Sequence, residues 1–270
     1  MTPIICFTSD FGLEDAWVGI CHATIYSTCP QARVVDLAHQ IPPYDIRKGA
    51  VVASSGVRQL PEAVHLVAVD PGVGGGRSDL CLVTKGGTRI VGPDNGVLIP
   101  ATWVSGGIAE SYVIDPHILR SDPPLGTFHA RDVMAPAVAA LASGVEPSAL
   151  GGPVDPAALV SAPFSRATQS GDTTIAEVLD TDRFGSVRLG VSDEDVIAFG
   201  LDAPVLRIEL GHLNLDLPFA RTFSDVAVGS AVCLIDSSGW LTIAVREQSA
   251  ADRYTIDPGT SLRIHPVHDA

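Results

Sequence analysis

His65-Leu66-Val67-Ala68-Val69-Asp70-Pro71-Gly72-Val73-Gly74-Gly75-Gly76-Arg77 sets the architecture expected of this chain. Its apolar first half reads as a buried strand that ends in a carboxylate. A glycine-rich turn follows, with little side-chain bulk, so a ligand can approach the backbone closely. Asp70 and Arg77, seven residues apart across the turn, can converge on one small polar centre. A surface ion pair at a strand-end turn is the plainer reading.

Outward from this turn, Ile4–Ser9, Arg33–Asp36 and Leu80–Thr84 read as further buried parallel strands, with Val64–Val69 between them. Helical patterns fall near Asp15–Ser27 and Ile46–Leu60. Strand–helix alternation predicts an α/β N-terminal domain with a mostly parallel central sheet. Three apolar runs end in Asp10, Asp36 and Asp70. Ligands of open α/β sheets bind at the carboxyl ends of strands, although each aspartate also suits an ordinary turn. Thr127-Phe128-His129-Ala130-Arg131-Asp132 precedes a helix that stops near Gly144. Asp132 is explained by the helix dipole, whereas His129 is not.

Residues Gly151–Gly171 are rich in Pro, Ala and Ser. The later runs Thr173–Leu179, Val187–Val191, Val205–Leu210, Ala231–Ile235, Leu241–Val245 and Ser261–Ile264 are short and β-like. They predict a smaller all-β, antiparallel, barrel-like C-terminal domain. The expected division is an α/β domain over 1–155, a linker over 156–171 and a β domain over 172–270.

The chain has 270 residues, is 46% hydrophobic and carries a net charge of −14. That is enough apolar material for a real core, and the charge disfavours nucleic-acid binding. No apolar run is long enough for a membrane span, and no signal peptide is read. Five cysteines without a CxxC pair suit reduced thiols in the cytoplasm and give no zinc signature. GxGxxG fails at Arg77, and no GK[ST], G-x-S-x-G or HExxH is present. What remains is Asp70, Arg77 and His129, a set able to hold and polarise a water molecule.

Six ordered motifs go further. They are Thr8-Ser9-Asp10-Phe11-Gly12, Val34-Val35-Asp36-Leu37-Ala38-His39, Ile41-Pro42-Pro43-Tyr44-Asp45, Val69-Asp70-Pro71-Gly72-Val73-Gly74, Gly92-Pro93-Asp94-Asn95-Gly96 and Thr127-Phe128-His129-Ala130-Arg131-Asp132. Asp182-Arg183-Phe184-Gly185 and Ser238-Gly239-Trp240-Leu241 match more loosely. With these the chain resembles, over nearly its whole length, the SAM hydroxide adenosyltransferases, relatives of fluorinase and chlorinase. The resemblance implies hydrolysis of S-adenosylmethionine (SAM) to adenosine and L-methionine, without cofactor or metal. It implies a homotrimer, with the ligand between the N-terminal domain of one subunit and the C-terminal domain of its neighbour.

The family's catalytic Asp, Arg and His fall on Asp70, Arg77 and His129. Asp10 falls on the aspartate that holds the ribose hydroxyls, Tyr44 and Phe128 on aromatic positions lining the site, and Asp182 on the ligand of the methionine ammonium. Asp36 and His39 are expected supports at a strand end, and Asp94-Asn95 a turn. Ser186, Ser237 and Trp240 are expected at the substrate as well, with adenine served by backbone groups near Trp240 to Glu247. Three positions depart from the family pattern. Ser186 stands where many relatives have asparagine, Ala130 where glycine is usual, and Ser237-Ser238-Gly239-Trp240 replaces an asparagine-containing turn. Halide transfer fits less well. The halogenating relatives have tyrosine where this chain has Asp70, and a carboxylate there would repel a halide. Two further functions compete: a SAM or adenosine sensor that binds without turnover, and a Mg²⁺-dependent hydrolase built on Asp10, Asp36 and Asp70.

Overall fold

The computed structural model describes residues 2–119, 126–211 and 213–267. The chain divides into two compact units, Met1–Pro163 and Phe164–Ala270. Within residues 156–171, Pro156–Ala158 is a 3-10 turn of the first unit, while Thr168–Ser170 is a strand of the second.

The first unit holds strands β1 (Ile4–Ser9), β2 (Arg33–Ala38), β3 (Val64–Ala68), β4 (Asp79–Thr84), β5 (Arg89–Pro93), β6 (Ile108–Ile114) and β7 (Gly151–Pro153). Its helices are α1 (Trp17–Thr28), α2 (Ile46–Gln59), α3 (Ile99–Trp103), α4 (Pro116–Leu119) and α5 (Ala135–Ala142). The strands form one sheet in the order β2-β1-β3-β5-β4-β6-β7. Pairs β1–β2, β1–β3 and β3–β5 are parallel, whereas β4–β5, β4–β6 and β6–β7 are antiparallel.

The sheet is therefore mixed, and the expectation of a mostly parallel one is corrected. The physical reason lies between β4 and β5. Residues Lys85–Thr88 are the whole connection, and a parallel crossover needs a dozen residues or more. A hairpin is the only solution, and it reverses β4. Its first residue, Asp79, then lies opposite Pro93 at the carboxyl end of β5. That is the rim where β1 and β3 also end, since Ser9 pairs with Ala68.

Helix α1 buries Val18, Cys21 and Ile25, one face at helical spacing. Helix α2 starts at Asp45, whose carboxylate accepts from the Lys48 N–H at 2.9 Å. Residues Ala135–Leu141 of α5 are all buried and complete a core with Ile5, Phe7 and Leu66. Each large apolar side chain so buried contributes roughly 1.5–3 kcal/mol.

The second unit holds β8 (Thr168–Ser170), β9 (Thr173–Thr181), β10 (Val187–Ser192), β11 (Val205–Leu210), β12 (Leu213–Pro218), β13 (Ala231–Ile235), β14 (Trp240–Val245) and β15 (Ser261–Val267), with helices α6 (Asp193–Ala198) and α7 (Ala250–Tyr254). Strand order is β12-β11-β15-β9-β10-β14-β13, with β8 on β9. All these pairs are antiparallel. Phe219, just past β12, bridges to Cys233 of β13 and nearly closes the sheet into a barrel. Val178, Leu189, Leu206, Ile208, Ile243 and Ile264 fill it. No helix among the described residues is long and apolar enough to cross a membrane.

Candidate active site

Asp10 and Asp70 leave neighbouring strands at one rim, because β1 and β3 are paired up to Ser9 and Ala68. Both line a cavity of about 350 Å³ in the first unit, together with Phe11, Trp17, Tyr44, Phe128 and His129. The glycine turn brings the last two into place. Gly74 has φ +76, and a Cβ there would stand 2.1 Å from the Gly126 carbonyl oxygen. Only glycine tolerates both the conformation and the approach. The backbone contact seats Thr127-Phe128-His129 beside Asp70.

Arg77 anchors the polar side of the cavity. Its Nε donates to Asp70 Oδ1 at 3.0 Å, and its Nη2 donates to Asp70 Oδ2. Its Nη1 donates to Asp79 Oδ1 at 2.6 Å. Asp79 Oδ2 in turn lies 2.7 Å from His129 Nδ1. The result is a continuous chain, Asp70–Arg77–Asp79–His129, whose two ends reach the cavity and whose two middle members lie behind it. All four side chains are largely buried, so the bonds are shielded from competing water. Burial pushes the Asp79 carboxyl above the ordinary carboxylate range, while Arg77 and His129 pull it down and Asp70 adds to the rise.

Asp79 is not among the site residues expected from sequence. Its signal is position, two residues beyond Arg77, but a parallel reading of β4 puts it at the opposite edge of the sheet. The antiparallel hairpin brings it to the site.

Asp10 Oδ2 accepts from the Tyr44 N–H at 2.8 Å. This bond holds Tyr44 at φ +70, an uncommon conformation for a bulky residue, with its ring largely exposed. Phe128 packs edge-to-face on Phe11 at 5.8 Å, and Phe11 on Trp17 at 6.1 Å, which gives the cavity an aromatic wall. Ala130 and Met134 also line it, from a π-helical turn over Ala130–Met134 ahead of α5.

Asp36 is not brought to Asp10 and Asp70. It binds His22 at 2.8 Å and His39 at 2.9 Å, and His39 continues to Ser9 at 2.7 Å. Burial raises its carboxyl, but the two histidine bonds outweigh that and leave it below the ordinary range. Asn95 Nδ2 donates to the Val69 carbonyl at 2.9 Å and pins the strand end before Asp70, while Asp94 Oδ1 accepts from the Val160 N–H at 2.9 Å. Among the described residues no group of three His, Cys, Asp or Glu side chains is placed to hold a metal ion.

In the second unit, Asp182 and Ser186 line a separate cavity of about 580 Å³ with Phe184, Phe223 and Val245–Ser249. Asp182 Oδ1 accepts from the N–H groups of Phe184 at 2.8 Å and Ser186 at 2.9 Å. Ser237 and Trp240 are not in this cavity. Ser237 lies in the turn before β14 and Trp240 begins that strand, whereas Val245 ends it, about 17 Å away at about 3.4 Å per residue. Asp236 holds the turn by accepting from the Ser238 and Trp240 N–H groups at 2.8 and 3.0 Å. Trp240 is buried, and its indole Nε1 has no partner among the described residues. Ser237 and Trp240, expected at the substrate, thus lie at the far end of β14 from this cavity. Of the stretch expected to serve adenine, Val245–Glu247 lines this cavity.

Comparison with known proteins bears on these geometries. Models of the SAM hydroxide adenosyltransferase N-terminal and C-terminal domains match residues 5–151 and 176–263. A protein of Salinispora arenicola named (R)-S-adenosyl-L-methionine hydrolase is 40% identical, covering 97% of this chain and 98% of its own. A Nocardia brasiliensis protein named fluorinase is 28% identical, covering 97% and 96%. A solved structure of a conserved protein from Thermotoga maritima superposes with a TM-score of 0.85 at 30% identity, covering 97% of this chain and 99% of that one. The chain belongs to the SAM hydroxide adenosyltransferase family.

Proposed function

We propose that this chain hydrolyses S-adenosyl-L-methionine, water attacking C5′ of the ribose to give adenosine and L-methionine. The observation that carries this reading is the buried Asp70–Arg77–Asp79–His129 chain opening at both ends on an aromatic-walled cavity. The sulfonium leaves as a neutral thioether, so no general acid is needed. What the reaction lacks is a competent nucleophile, and a water held between Asp70 and His129 supplies it. Asp70 is clamped by two Arg77 bonds and orients that water. His129 takes its proton.

Asp10 offers the oxygen not used by Tyr44 to the ribose hydroxyls, and Tyr44 and Phe128 flank the nucleoside. Asp182 holds the methionine ammonium through its other oxygen, with Ser186 beside it. Backbone groups of Val245–Glu247 serve adenine. A homotrimer in which the first unit of one protomer works with the second unit of a neighbour belongs to this proposal, supported by the separately lined cavity on each unit. Five buried free thiols support a reducing, cytoplasmic setting. No cofactor is part of the reaction.

The test is incubation with SAM and chromatography of the products, in EDTA and with added chloride or fluoride. The name of the hydrolase relatives specifies the R configuration, so both sulfur epimers are assayed. Equal amounts of adenosine and methionine, unaffected by EDTA and lost in Asp70→Asn, support the proposal. A 5′-halogenated nucleoside, or tight binding without products, contradicts it.

A further inference from the structure

We propose that Asp79 is a positioning residue for the hydrolysis, fixing His129 in the tautomer with hydrogen on Nδ1 so that Nε2 accepts the proton of the attacking water. This rests on the hydrolase reading above. Asp79 lies behind the cavity, outside the residues that line it. Its two oxygens are divided between Arg77 Nη1 at 2.6 Å and His129 Nδ1 at 2.7 Å. The charged or titratable groups facing it are Arg77, His129 and, beyond Arg77, Asp70.

A carboxylate only accepts, so the shared hydrogen sits on Nδ1 and the lone pair is left on Nε2. Arg77 neutralises one of the two carboxylates it binds. The remaining negative charge stabilises the imidazolium that forms when His129 takes a proton. The step balances. One O–H bond of water breaks and its proton goes to Nε2. The oxygen lone pair forms the C5′–O bond, and the C5′–S pair passes to sulfur, releasing a neutral thioether. His129 then returns its proton to solvent.

Asp79→Asn separates this role from simple packing, because its shape is unchanged. Arg77 Nη1 keeps an acceptor only if the amide oxygen faces it. The amide N–H₂ then faces His129 Nδ1, which must become the acceptor, and hydrogen moves to Nε2. The imidazole then presents a donor where a base is needed. The expected kcat loss is about 10²- to 10⁴-fold, the range of a general base, with KM within about 3-fold.

The experiment pairs these kinetics with ¹⁵N imidazole shifts of the substrate-free protein, His129 being assigned by comparison with His129→Ala. The expected result is an Nδ1–H tautomer in the unaltered protein, an Nε2–H tautomer in Asp79→Asn, and a melting temperature that does not fall. Any of three results overturns the proposal: an Nε2–H tautomer in the unaltered protein, unchanged kcat in the variant, or a joint loss of kcat, affinity and melting temperature. The spectrum needs no turnover. Failure of the unaltered protein to hydrolyse SAM is thus a separate result, which overturns the hydrolase reading on its own.

Discussion

Arg77→Lys tests the clamp that the catalytic geometry depends on. Arginine makes three charge-assisted bonds here, two to Asp70 and one to Asp79. A lysine ammonium is a point donor and cannot span both carboxylates, so two of the three are lost. At about 1.5–3 kcal/mol for each bond to a charged group, the gross loss is roughly 3–6 kcal/mol. Retained charge and entering water return part of this, leaving about 2–4 kcal/mol. For a unit of this size that lowers the melting temperature by roughly 5–15 °C. Asp70 and His129 also lose their common frame, and a displacement of about 1 Å at such a site costs about 10²-fold in rate. The assay is thermal unfolding together with the rate of adenosine release from SAM. A melting temperature within about 2 °C of the parent, or a kcat within about 3-fold, refutes the reasoning.

Three further outcomes are expected. Gly185 has φ +84, and a Cβ there would lie 2.1 Å from Ser249 Oγ and 2.6 Å from Ser249 Cα. Gly185→Ala should cost about 2–5 kcal/mol in urea unfolding, against about 1 kcal/mol for Gly200→Ala, where φ is +66 and the space is open. Equal costs would contradict the clash. Burial pushes the Cys6, Cys21 and Cys81 thiols up to about 12, and Cys233 upward as well. All five cysteines are buried and free, so a thiol reagent at pH 8 should label none in the native protein and five after denaturation. Rapid native labelling would show that the thiols are reachable. Asp36 has a depressed folded-state carboxyl, so its contribution to stability is present above the unfolded value, about 3.9, and is lost as pH falls through the folded one. The destabilisation by Asp36→Asn should be present at pH 5 and close below about pH 4. A gap that widens with acid would reverse the assignment.

The parts of the fold that are legible in the sequence are those whose extent is set by their own residues. Ile4–Ser9 and Val205–Leu210 coincide with β1 and β11, and α2 begins at Ile46 as its pattern indicates. The direction of β4 is not legible from its own residues. Nearly every side chain of Asp79–Thr84 is buried, and a run buried on both faces carries no sign of its partners' direction. The direction is written instead in the four residues Lys85-Gly86-Gly87-Thr88, too few for a crossover. Leu213-Asn214-Leu215-Asp216-Leu217 alternates as a strand should, yet β12 is absent from the strands expected above.

The candidate site divides in the same way. Asp10 and Asp70 come from motifs at strand ends, Tyr44, Phe128 and His129 from motifs ahead of helices, and all five meet in one cavity. Asp79 depends on strand direction and escapes the sequence reading for that reason. Ser237 and Trp240 carry the motif but sit at the opposite end of β14 from the cavity, a distinction that residue order along one strand cannot make.

The most direct measurement of the central claim is turnover of SAM in ¹⁸O-labelled water, followed by mass spectrometry of both products. Direct attack of an activated water at C5′ predicts one ¹⁸O on the 5′ oxygen of adenosine and unlabelled methionine. Unlabelled adenosine, or SAM bound tightly with no products formed, would contradict it.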